Sequence, residues 1–123
     1  MESYTAEFPN ISNVVQLYIE GMCEADETKM RTAFHPRSCC IGHFEGDLDW
    51  DSLDAFISSV VDSVKTPDFH PRWSINAVSV TGDVAVVQVD DIWLGMHFDD
   101  TLTLLKTQGQ WRIVSKVFYL RAS

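Results

Sequence analysis

Residues 73–120 read WSINAVSVTGDVAVVQVDDIWLGMHFDDTLTLLKTQGQWRIVSKVFYL, and this stretch decides the fold. β-branched and aromatic residues alternate with polar ones along it, and the alternation breaks at Gly82-Asp83, Gly95-Met96 and Gln108-Gly109. Two-residue hairpin turns take glycine because their backbone needs positive φ. The spacing predicts four antiparallel strands in a meander.

Upstream the period changes from two to that of a helix. Ile11, Val14, Val15, Tyr18, Ile19 and Met22 form an apolar stripe at spacings of three and four, with Asn10 or Ser12 able to cap its start. A shorter helix is expected from Asp26, with Met30, Ala33 and Phe34 inward, ended by Pro36. Cys39 to Glu45 reads as a short strand, and Gly46 and Asp47 turn towards a third helix capped by Asp51 or Ser52. Leu53, Phe56, Ile57, Val60, Val61 and Val64 give that helix its apolar face. No linker, repeat or low-complexity run interrupts the pattern. One domain over residues 1–123 is expected, of class α+β, with three helices packed on one face of a twisted antiparallel sheet.

If each glycine pair is the turn itself, pairing follows by counting outward. Trp93 then lies opposite Phe98, Asp91 opposite Asp100, Asp100 opposite Val117, and Phe98 opposite Tyr119; Ser74 faces Asp91 and Asn76 faces Val89. This face is aliphatic at one end and becomes polar and aromatic at the other, as the lining of a binding cavity does. Asp91 and Asp100 are its most informative pair, because two like charges across a ladder repel and burial raises at least one carboxyl pKa. Such a pair can serve as acid and base. Alternatively, twist exposes this end and both are ordinary surface carboxylates.

The opposite face carries Trp73, Ile75, Val84, Val86, Ile92, Leu94, Leu105, Val114 and Phe118, with Lys116 among them as an interfacial cation. So many apolar groups call for cover, and a homodimer through this outer sheet face is expected.

Nine basic against 18 acidic residues leave a net charge of -9, which opposes counterion-release binding to nucleic acid and adsorption to anionic membranes. No apolar run approaches the roughly 20 residues of a membrane span, and Met1, Glu2 and Ser3 do not open a basic leader, so a cytoplasmic location is expected. Three cysteines, Cys23, Cys39 and Cys40, lack a framework spacing and are expected to be reduced. The four histidines never fall at the i, i+4 spacing of a metal site, so no metal is expected. His35, leaving the second helix beside Pro36, is the candidate general base among them. No phosphate-cradling glycine loop, nucleophile elbow or zincin motif occurs, and no cofactor is expected.

Taken together, the helical start, Phe34-His35-Pro36 entering a strand that ends in Gly42-His43, the run Gly82-Asp83-Val84-Ala85-Val86, and Gly109-Gln110-Trp111-Arg112-Ile113-Val114 resemble the nuclear transport factor two-like superfamily. Within it the chain looks nearest to the putative lumazine-binding group, beside the SnoaL-like proteins. The resemblance implies a cone-shaped, strongly curved sheet (an α+β barrel of cystatin-like type) wrapped around helices, a cavity at the wide end, and dimerisation through the outer sheet face. Superfamily members include isomerases, dehydratases, cyclases and non-catalytic modules, so fold does not settle function.

The functional expectation is a small, partly aromatic molecule bound in the cone by Tyr18, Phe34, Phe56, Asp91, Trp93, Asp100 and Tyr119. The first alternative is an isomerase, dehydratase or cyclase in which Asp91 or Asp100 moves a proton beside a carbonyl, helped by the other carboxyl or His35. The second is an association module acting through the sheet face.

Overall fold

The protein was analysed as a computed structural model that describes residues 4–122; Met1, Glu2 and Ser3, read above as no leader, lie outside them. Helices α1 (Tyr4–Glu24), α2 (Glu27–Ala33) and α3 (Leu53–Ser63) pack against six strands: β1 (Phe34–Phe44), β2 (Asp47–Ser52), β3 (Trp73–Thr81), β4 (Val84–Trp93), β5 (Met96–Thr107) and β6 (Gln110–Leu120). The curved sheet runs β2-β1-β6-β5-β4-β3 and does not close. β3 to β6 form the expected meander. The sheet as a whole is mixed rather than antiparallel, because β1 joins β6 in parallel. β2, an acidic segment expected only to lead into the third helix, is an edge strand paired with β1.

α1 begins well before the expected caps at Asn10 or Ser12, and Pro9 lies inside it. Its buried stripe of Ile11, Val15, Tyr18, Ile19 and Met22 meets Ala85, Val87, Val89, Leu102, Leu104 and Ile113 of the sheet. Each fully buried aliphatic of this set contributes about 1.5–3 kcal/mol over exposure. Asp26 caps α2 through Lys29 N–H, and Ser52 caps α3 through Ala55 N–H. At the narrow end, the buried Glu7 carboxylate of α1 accepts from Lys106 Nζ at 3.0 Å and Trp111 Nε1 at 2.9 Å, tying the helix to the β5–β6 hairpin. Trp50, two residues before the Ser52 cap of α3, is 67% exposed on β2.

Three departures from simple counting set the inner face. The β4–β5 turn is Leu94-Gly95, both at positive φ, because this turn type takes glycine second. Pairing therefore moves by two residues: Asp91 opposes Phe98, and Val89 opposes Asp100. A two-residue shift keeps both aspartates on one face, as diagonal rather than direct neighbours. Second, β6 carries an extra residue at Val114, since Leu104 pairs with Ile113 but Thr103 with Ser115. A one-residue bulge turns every later side chain over. Lys116 and Phe118, placed above on the outer face, point into the cone, and Tyr119, placed in the pocket, is 64% exposed outside it. Third, a bulge at Asn76 turns Trp73 and Ile75 towards the core, and Ser74 and Asn76 outward to bond Asp90.

Among the described residues no helix is long and apolar enough to cross a membrane.

Candidate functional site

Tyr18 reaches from the middle of α1 across the cone to β5. Its hydroxyl donates to Asp100 Oδ2 at 2.6 Å, and its ring meets the Phe34 ring edge-on at 5.3 Å. Tyr18, Asp91 and Asp100 are all at most 1% exposed. Burial, and then the charges of Asp100 and Asp91, hold the Tyr18 phenol well above its ordinary value, so it is a permanent donor.

Asp91 is the strained member. Burial first, and the charge of Asp100 second, push its carboxyl up from 3.8 to about 9, against the opposing pull of the Lys116 ammonium. With both groups ionised, neither Asp91 oxygen nor Asp100 Oδ1 has a hydrogen-bond partner. A proton on Asp91 resolves this, because a neutral acid can donate to Asp100 whereas two carboxylates only repel. A raised Asp91 carboxyl beside Asp100 and the Tyr18 hydroxyl is an arrangement suited to acid-base chemistry.

Lys116 on β6 is 5% exposed. Its Nζ lies 4.4 Å from the Phe56 ring centre, 5.0 Å from Tyr18 and 5.5 Å from Phe118. Among the described residues its only hydrogen bond runs to Met22 Sδ at 3.9 Å.

A cavity of about 130 Å³ opens beside these groups at the wide end. Its apolar wall is Met22, Phe44, Phe56, Trp93, Phe98 and Phe118, with Cys40 and Lys116; Asp49 and Asp51 of β2 and Ser59 and Ser63 of α3 are its polar members. The rings brace one another: Phe44 stacks on Phe98 at 6.5 Å, and Phe98 meets Phe118 edge-on at 5.9 Å. Trp93 is fixed by its Nε1 donating to Met22 O at 3.1 Å, in the last turn of α1. Gly42 lets β1 approach this wall, since a Cβ there would lie 2.6 Å from Phe118 O.

Of the residues singled out from sequence, Phe56 and Trp93 line the cavity. Tyr18, Asp91 and Asp100 come together but stand behind the wall, with the Lys116 side chain between Tyr18 and the cavity. Phe34 belongs to the core. Tyr119 is outside. His35 lies by the β5–β6 turn with Thr107, Gln108, Gln110 and Arg112, its Nδ1 accepting from Arg37 N–H, seven residues or roughly 23 Å along β5 from Asp100. It cannot serve that cluster. Lys116 and Phe118 escaped sequence reasoning because nothing in Ile113-Val114-Ser115 announces a bulge. All three cysteines are free, and among the described residues no group of His, Cys, Asp or Glu is arranged to hold a metal.

Comparison with known proteins agrees with this architecture. Residues 6–119 match the family described as "Putative lumazine-binding". A nuclear transport factor two-like protein of unknown function from Silicibacter pomeroyi superposes with a TM-score of 0.92 at 38% identity, covering 98% of this chain and 100% of that one. Another such protein, from Shewanella baltica, gives 0.89 at 27% identity over the whole of both chains. A protein of Cladobotryum named Aldolase FrzH is 24% identical over 115 residues, which are 94% of this chain and 92% of that one.

Proposed function

Because the chain belongs to the "Putative lumazine-binding" family, we propose that it is a small-molecule-binding protein whose ligand enters the wide end of the cone. The observation that carries this reading is the aromatic-walled cavity set against the buried Tyr18–Asp100–Asp91 cluster. Its size limits the ligand: a dry cavity of about 150 Å³ holds benzene, so about 130 Å³ takes one ring or a short chain. A bicyclic ligand requires the α3 and β2 side of the wall to move outward. The test is fluorescence of Trp93 during titration with cyclohexanone, cyclohexane-1,3-dione and lumazine, with Trp93→Phe as control. Saturable quenching by a one-ring compound, absent in the control, supports the reading; indifference to all three contradicts it.

A second reading is favoured by the proton held on Asp91. In it the protein is an enzyme that removes a proton beside a carbonyl, Asp100 acting as base and protonated Asp91 or Tyr18 steadying the oxygen. Aldol chemistry, named for the Cladobotryum relative, begins with such a step. Because the cluster lies behind the wall, the Lys116 side chain has to move aside for it to reach a ligand. Deuterium uptake into cyclohexane-1,3-dione and cyclohexanone, followed by proton NMR, tests it. Catalysed exchange lost in Asp100→Asn supports it, and exchange at the buffer rate sinks it.

The reading also takes the protein as cytoplasmic and dimeric. Three free cysteines support a reducing compartment, and Val84, Val86 and Val117, each at least 36% exposed on the outer face, support cover by a second copy.

A further inference from the structure

We propose that Lys116 is an anion-recognition residue and that the ligand is a one-ring carboxylate bearing a hydrogen-bond donor at its far end. The inference rests on the reading of the cone as a binding cavity and deepens it by naming the ligand class.

An ammonium carries three N–H donors and loses much solvation when buried, so it is normally met by carboxylates or carbonyls. Lys116 is 5% exposed, forms part of the cavity wall, and among the described residues has only a thioether as hydrogen-bond acceptor. The faces of Tyr18, Phe56 and Phe118 favour its positive charge, but they do not replace oxygen acceptors. Asp100 does not neutralise it by contact, since no carboxylate of the described residues lies within 4.0 Å of Nζ. A ligand carboxylate entering past Phe56 supplies what the protein withholds.

Two strands across the sheet, about 10 Å from Lys116 because Cys40 of β1 pairs with Lys116 on one side and Asp51 on the other, the cavity wall has the reverse character. Asp49 and Asp51 project from the edge strand beside Ser59 and Ser63, so a ligand whose outer end carries an amino or hydroxyl group finds acceptors there. A cation inside and carboxylates outside fix the orientation as well as the charge of the ligand. The aromatic walls between them suit a flat ring.

The experiment is calorimetric titration of the purified chain with benzoate, 4-aminobenzoate, benzamide and aniline, repeated on Lys116→Met and Lys116→Arg. Both carboxylates are expected to bind at least about tenfold more tightly than benzamide, with 4-aminobenzoate ahead of benzoate. Lys116→Met is expected to erase the preference while still binding benzamide, and Lys116→Arg to keep it. Equal binding of benzoate and benzamide, or a preference that survives in Lys116→Met, overturns the inference and leaves the cavity reading standing. Failure of all four compounds to bind overturns both.

Discussion

Tyr18 donates a 2.6 Å hydrogen bond to Asp100 across 82 positions of sequence, so the first helix and the fifth strand share a proton-bearing contact inside the cone. Among the described residues the bond gives Asp100 its only hydrogen-bond donor besides a protonated Asp91. Removing the hydroxyl therefore leaves a buried acceptor unmet rather than simply deleting an interaction. Tyr18→Phe is expected to lower unfolding stability by about 1–3 kcal/mol in urea titrations at pH 7. A change below about 0.5 kcal/mol contradicts the arrangement.

Asp91 makes stability depend on pH in a set direction. Its folded pKa, about 9, lies above its unfolded value, 3.8, so between these limits the folded chain holds a proton that the unfolded chain has released. The stability this contributes is full below pH about 4 and is lost as pH rises towards 9, by at most about 1.4 kcal/mol per pH unit. Asp91→Asn copies the neutral acid. It is expected to melt above wild type at pH 8, with the gain vanishing near pH 4 to 5, in thermal scans across that range.

Gly42 sits where β1 crosses β6 over the cavity wall. A methyl group there meets a backbone oxygen, Phe118 O, at 2.6 Å, and backbone cannot swing away as a side chain can. Gly42→Ala is expected to cost about 1–3 kcal/mol in chemical denaturation and to shift the Phe118 ring.

Thiol reactivity should separate the cysteines. Burial pushes the Cys23 and Cys40 thiols up to about 12, whereas Cys39 is only half-buried. Iodoacetamide at pH 7.5 is expected to label Cys39 first in the native protein, with Cys23 and Cys40 reacting only after unfolding, as read by peptide mass spectrometry.

On the outer face, Val86 lies opposite Thr103 and Val117 opposite Thr101. A second copy seated on this face would be expelled by charge. Val86→Glu/Val117→Glu is expected to convert a dimer to a monomer in sedimentation runs, and a wild-type monomer contradicts the expectation.

The meander, the third helix and the grouping of Asp91, Asp100 and Tyr18 are legible in the sequence because each follows from a period that a few residues cannot disguise. The aspartates survive a misplaced turn since moving Leu94-Gly95 by one position changes pairing by two, which preserves the face. Lys116 and Tyr119 do not survive, because the extra residue at Val114 changes pairing by one and exchanges inside for outside. The bulge answers to packing in the assembled cone. β-branched Val114 between Ile113 and Ser115 looks like any strand residue. β2 was hidden for a related reason: its side chains are mostly exposed and acidic, and only its pairing with β1 identifies it as a strand.

The central claim is that Asp91, buried beside Asp100 under the cavity, holds its proton at neutral pH. Carbon-13 NMR of labelled aspartate carboxyls, titrated from pH 3 to 10 with Asp91→Asn to assign the signal, measures it directly. The account predicts one carboxyl that titrates far above the others, near 9, and disappears in the variant. An Asp91 signal that titrates with the surface carboxylates, near 4, would contradict it.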